Sequence, residues 1–247
     1  MVFNSIFFIF CFLPVFMLIY YLVPGKLRNL LLFLGSLIFY AWGEPVYVIL
    51  MLFSSIFNYY MGTELERLYY DDRKQKINLI FSIIINLAVL VFFKYYGFLL
   101  NTIGGIIGIH IPHPELSLPI GLSFYTFRNL SYLFDIYLSK VSAQRNFLTF
   151  AVYSTMFPYT SAGPIVRYTD IETQLKQRTI NISKFGIGAE LFVKGLAKKV
   201  LLADNLSVLY SSICGHPQMS VFTSWLGILA YTMPVSYTHL RAHETLM

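Results

Sequence analysis

The chain has 247 residues, of which 57% are hydrophobic and 18% aromatic against only 12% charged, a balance that excludes an ordinary water-soluble domain. The formal charge of +6 comes from Lys and Arg scattered through short connections, not gathered in a basic stripe, so it argues against nucleic acid as a partner. Cys11 and Cys214 stand too far apart to suggest a disulfide framework or a CxxC metal or redox motif.

Apolar runs recur at short intervals, which predicts an all-α fold: a polytopic transmembrane helix bundle of about seven or eight membrane segments in one domain over residues 1–233. The first run, Asn4 to Val23, lacks a basic n-region and a small-residue cleavage site and is long enough to cross about 30 Å, so it reads as a retained helix. Charge-free runs follow at 29–43, 45–62 and 77–93. Lys26 and Arg28 lie in the first connection and Arg67, Arg73, Lys74 and Lys76 in the third, while the connection at Glu44 has no basic residue. The odd connections are therefore expected in the cytoplasm and the N-terminus outside.

After Lys94 the string YYGFLLNTIGGIIGI, aromatic and rich in glycine, reads as an interfacial segment, and HIPHPELSLP, with three prolines, as an external loop. His110 and His113 flank Pro112, which breaks the helix that would bring them together, so no metal site is expected there. Residues 118–138 have span length yet contain Arg128 and Asp135, and a charge near the bilayer centre costs about 2.5–3.5 kcal/mol. On a helical period Gly121, Tyr125, Arg128, Tyr132 and Asp135 form one face, which must look at protein or water. Two readings stay open: these charges fix packing between helices, or they form the polar wall of a substrate or acyl channel.

Residues 157–168, FPYTSAGPIVRY, carry Pro158, Gly163, Pro164 and Arg167. Such irregular backbone is tolerated at membrane depth only when buried in protein or bordering a water-filled cavity; otherwise the segment is a surface loop. The polar stretch 169–183 reads as a cytoplasmic surface helix or loop. Lys194, Lys198 and Lys199 follow in FGIGAELFVKGLAKKVLLAD, where they either snorkel to anionic headgroups or hold a phosphorylated or pantetheine-bearing donor. The last apolar run, VFTSWLGILAYTM, places Trp225 at an interface position.

The strings LPIGLSFYTF, YLFDIYL, FPYTSAGPIVRY, KGLAKKVLLAD and SWLGILAYT, in this order, resemble the membrane-bound O-acyltransferase family, in its alginate O-acetyltransferase-like branch. The resemblance covers roughly residues 1–233, with AGPIVRY and KKVLLAD its most specific parts. Arg128 and Tyr159 each stand where that branch commonly has glutamine. The resemblance implies a helix bundle around a funnel in a bacterial cytoplasmic membrane, crossed several times by the chain. There an acyl group, acetyl first of all, passes from a cytoplasmic thioester (acetyl-CoA or an acyl carrier protein) to hydroxyls of an exported polysaccharide, with no bound cofactor or metal. An extracytoplasmic acetyltransferase is an implied partner. D-alanylation of teichoic acid is the alternative within the family; a transporter or lipid-scrambling channel, for which no internal repeat is evident, and a structural subunit are the alternatives outside it.

The implied catalytic residue is a histidine in a later apolar helix, acting as general base on the acceptor hydroxyl. It is not expected among these residues, so the chain alone is expected to be inactive. The site candidates are Tyr125, Arg128, Tyr132, Asp135, Gly163, Pro164 and Arg167 along the channel, and Lys194, Lys198 and Lys199 on the donor side. Apolar periodicity stops at Pro234, and residues 234–247 read as a non-native tail. His239 and His243 in that tail lack the HExxH order and are not read as a zinc site.

Overall fold

The computed structural model describes residues 5–108, 118–160, 166–178, 181–215 and 220–244, the side chains of residue 103 and of 233–244 excepted. The regular elements among them are all helical. They fall into two compact units, Val15–Gln177 and a second that joins Val2–Pro14 to Arg178–Met247.

In the first unit the helices are α1 (Leu13–Leu22, most of it), α2 (Arg28–Gly43), α3 (Val48–Arg67), α4 (Asp72–Ile107), α5 (Leu122–Tyr137), α6 (Phe147–Thr155) and α7 (Tyr168–Lys176). α3 is central and packs on α4, α5 and α6, while α2 packs on α6. The turn between α3 and α4 ends at Asp71, whose carboxylate caps α4 by accepting the Lys74 N–H at 3.1 Å and pairing with Lys74 Nζ at 2.8 Å. That hydrogen bond with the Lys74 side chain holds the Asp71 carboxyl below its ordinary range and raises the ammonium.

α4 runs unbroken through Lys94, where the sequence predicts a change to an interfacial segment. Gly97, Gly104 and Gly105 each weaken a helix by about 1 kcal/mol, but no proline interrupts it. It stops at Gly108, whose φ of 72° provides a left-handed C-cap. α5 ends in the same manner without a glycine. Ser139 takes φ 56° while the Lys140 N–H bonds to Asp135 O at 2.8 Å and the Ser139 N–H to Ile136 O at 2.9 Å. This is a Schellman motif with serine in the left-handed position. Ser139→Gly is expected to stabilise the unit by about 0.5–1 kcal/mol, read as a rise in its unfolding midpoint in detergent.

Polarity is arranged inside out. Ile49 and Trp42 are 73% and 63% exposed, and Phe53, Ile77 and Ile84 also face outward. Ser36, Ser55, Asn58, Ser82, Asn86, Thr126 and Asn129 are buried. The Asn58 and Asn86 amides exchange hydrogen bonds of 3.0 and 2.9 Å between α3 and α4. Ser55 donates to Ser154 of α6 at 3.0 Å, and Asn129 of α5 donates to Ser54 at 3.2 Å. Water would penalise such a surface; lipid does not, and these interior side chains bond one another across the helices. The protein is a membrane protein. Among the described residues Val48–Arg67 and Asp72–Ile107 are long and apolar enough to cross a bilayer, with Phe8–Leu22 and Val221–Thr232 shorter apolar helices.

The second unit holds a π-helical turn at Phe8–Phe12, α8 (Ile182–Lys198), a π-helical stretch at Lys199–Asp204, α9 (Asn205–Cys214) and α10 (Val221–Glu244). α9 packs on α10, with the Tyr210 and Tyr231 rings 5.1 Å apart. The backbone of α10 runs on through Pro234, where the apolar pattern ends. Trp225 lies exposed on α10.

Candidate functional site

The chain turns sharply into α5 at Gly121, where φ is 77° and a Cβ would stand 2.1 Å from the Thr160 carbonyl oxygen. The start of α5 thus touches the first part of FPYTSAGPIVRY directly, backbone against backbone. That part is a 3-10 turn, Phe157–Tyr159, which follows the end of α6. Side chains satisfy its backbone: the Phe157 N–H donates to Ser36 Oγ at 3.1 Å, and the Thr160 hydroxyl reaches Thr155 O at 3.1 Å and Met156 O at 2.9 Å. Backbone groups of residues 157–160 are thus paired within the protein.

Arg128, 1% exposed, supplies the next restraint. Its Nη1 donates to Tyr153 O at 3.1 Å and Ser154 O at 3.3 Å, and its Nη2 donates to Tyr159 O. Its guanidinium lies 5.6 Å from the Tyr159 ring centroid. The first two acceptors are carbonyls of the last turn of α6, which carry the negative end of the helix dipole and have no partner within the helix. The buried cation is therefore solvated by backbone carbonyls and an aromatic face, while its Nε has no hydrogen-bond partner among the described residues. Arg128 and Tyr159 are thus in contact, by a hydrogen bond and by the ring face.

The rest of the predicted face is also inside the protein. Tyr132 is buried against Phe150 at 4.8 Å and Tyr168 at 5.1 Å, and its hydroxyl accepts the Gln144 N–H at 2.8 Å. Gly62 of α3 admits this ring, since a Cβ there would lie 2.7 Å from Tyr132 Cε1. Tyr125 is buried with Tyr40, Met51, Leu90 and Leu122. Asp135 is 5% exposed, and its Oδ2 finds no hydrogen-bond partner among the described residues. No ion pair joins it to Arg128 among those residues.

Arg167 is exposed and opens α7, its N–H donating to Asp170 Oδ2 at 3.3 Å. Just after it Tyr168 is buried, and burial pushes its phenol up to about 12 against the opposing pull of the Gln144 amide, which donates to it at 2.7 Å. Gly163 and Pro164 lie outside the described residues, as do His110, His113 and His216, and the side chains of His239 and His243 are likewise not described. In the second unit Lys194 pairs with Glu190 at 2.5 Å on exposed α8. Lys198 ends α8, and Lys199 begins the π-helical stretch that carries KKVLLAD. There the Asn205 amide donates to Val200 O at 3.1 Å and Leu201 O at 3.0 Å, bonding carbonyls of the widened turn. Among the described residues no cluster of three or more His, Cys, Asp or Glu could hold a metal ion.

The sequence reading did not single out Ser36, Gln144 or Tyr153. Each carries an ordinary side chain in an apolar or loop string, and its role comes from partners far along the chain.

No protein-family model matches the chain, and no solved structure matches it significantly. Curated proteins do. It is 37% identical over 94% of its length to the probable alginate O-acetylase AlgI of Pseudomonas aeruginosa and 36% identical to that of Azotobacter vinelandii. It is 29% identical to the peptidoglycan O-acetyltransferase of Helicobacter pylori. It spans 45%, 47% and 51% of those proteins, about half of their length. Over nearly its whole length the chain is similar to proteins named probable alginate O-acetylase, which fits the resemblance to the membrane-bound O-acyltransferase family.

Proposed function

We propose that the full-length protein transfers an acetyl group from a cytoplasmic thioester, acetyl-CoA or an acyl carrier protein, to hydroxyls of an exported polysaccharide. The observation that carries this reading is the alignment of 94% of the chain with probable alginate O-acetylases, together with the similarity to a peptidoglycan O-acetyltransferase. Both names describe acetylation of a glycan. In the reaction the acceptor oxygen attacks the thioester carbonyl, a base takes the hydroxyl proton, and the C–S bond breaks to release the thiol. The base is assigned to a histidine in the part of the relatives' length that this chain does not span. The acetylated glycan, or an acetyl group in transit to it, would meet an extracytoplasmic acetyltransferase as partner.

This reading places the protein in a bacterial cytoplasmic membrane, with several crossings and the N-terminus outside. Residues 1–233 form part of the acyltransferase domain, and 234–247 are a non-native tail. Tyr125, Arg128, Tyr132 and Asp135 line or brace the funnel. FPYTSAGPIVRY borders it, with Gly163 and Pro164 shaping its turn and exposed Arg167 facing an anionic donor group. Lys194, Lys198 and Lys199 bring positive charge to the donor side.

Arg167→Ala in the full-length protein is expected to lower transfer of radiolabelled acetyl from acetyl-CoA to polysaccharide by about 10-fold or more, the loss of one charge-assisted contact. Its unfolding midpoint should stay close to that of the parent. A matching loss of stability and transfer would leave Arg167 with a packing role only.

A further inference from the structure

Residues 160–165 are bracketed by two fixed points, Tyr159 and Val166, and both are held from one place. Arg128 of α5 donates to Tyr159 O. Tyr153 of α6 shares its hydroxyl between Arg128 O at 3.1 Å and Val166 O at 3.3 Å. The pair is closed on itself, because Arg128 Nη1 also donates to Tyr153 O at 3.1 Å. Tyr153 is fully buried, with the Tyr132, Phe150 and Tyr168 rings at 6.1, 6.1 and 5.2 Å, so packing on three sides fixes where its hydroxyl points. The side chain immediately after the second fixed point is Arg167.

We infer that Tyr153 is a positioning residue: with Arg128 it forms one clamp that fastens Tyr159 and Val166 and thereby sets the place of Arg167. The inference rests on the proposed transfer reaction for its purpose, but not for its geometry. Tyr153 touches no reacting group. It acts through the backbone at Val166, and the ring alone cannot do this. Closure of the pair has a further consequence: loss of either member frees the other, so the two should not act additively.

The test uses the full-length protein in detergent with Tyr153→Phe, Arg128→Gln and the double variant. Trypsin cleavage after exposed Arg167 reports on the clamp, and cleavage after Arg67, the last residue of α3, whose side chain is 78% exposed, serves as internal reference. Tyr153→Phe is expected to speed cleavage after Arg167 about 5-fold, the factor for one lost hydrogen bond, and Arg128→Gln by at least that factor, with the reference rate unchanged. The double variant should match the singles instead of multiplying them. Acetyl transfer should fall in all three, with kcat changing more than KM for the donor. Unchanged cleavage after Arg167 in Tyr153→Phe would overturn the inference, and so would an equal rise at Arg67, which means general loosening. If cleavage responds as expected but the parent transfers no acetyl group, the clamp stands and the transfer reading fails.

Discussion

Gly121→Ala is expected to be among the most damaging single changes in the first unit. Its φ of 77° costs an L-residue about 1–2 kcal/mol, and the new Cβ would stand 2.1 Å from Thr160 O, 3.0 Å from Thr160 C and 3.1 Å from Thr160 Cγ2. Backbone cannot swing aside as the end of a flexible side chain can, so overpacking adds about 1–3 kcal/mol. A total of about 2–5 kcal/mol is a large part of the 5–15 kcal/mol by which a domain is commonly stable. The variant should show a sharply lower unfolding midpoint, or no monodisperse peak, in detergent size-exclusion chromatography. Gly25→Ala is the control, since nothing lies within 4 Å of the added carbon and its φ is ordinary. Equal midpoints for the two variants would mean that α5 does not meet Thr160 as described.

Arg128→Met should be comparably severe for a different reason. The methionine fills most of the volume but leaves the carbonyls of Tyr153, Ser154 and Tyr159 without their donor. Each buried carbonyl stripped of its only partner costs about 1–3 kcal/mol, so a loss of about 3–5 kcal/mol is expected after partial relaxation. Glutamine keeps an amide donor and should recover part of it. The order of unfolding midpoints, parent above Arg128→Gln above Arg128→Met, checks the account. If methionine proved as stable as the parent, the guanidinium would be doing nothing for those carbonyls.

Much of the fold was legible because lipid-facing helices write themselves as apolar runs. α2 and α3 lie where charge-free strings predict them, and Arg128 and Asp135 do share a buried face. The continuity of α4 past Lys94 was not legible. Two tyrosines, a lysine and a scatter of glycines look like an interface, but helix propensity is a weak prior and nothing there forbids another turn. The partners of Arg128 were hidden for a deeper reason. They are backbone carbonyls 25 to 31 residues away, and a carbonyl looks the same whatever side chain it follows. For Tyr153 likewise, the sequence shows one more aromatic in an apolar run; only the fold brings its hydroxyl beside Val166.

The length of α4 carries a consequence for how the protein sits in its membrane. Its 36 residues make a rod of about 54 Å, and the hydrocarbon layer is about 30 Å thick. To hide the whole rod the helix would have to lean about 56° from the bilayer normal, beyond the roughly 0–40° range of membrane helices. Even at the steepest common lean about 15 Å, some ten residues, must stand outside the hydrocarbon. The polar start at Asp72–Lys76 can account for about half of that overhang. For an α4 that crosses the bilayer the remainder falls to the end that finishes at Gly108, so an apolar helix tip stands clear of the lipid tails, at the level of the headgroups or above them.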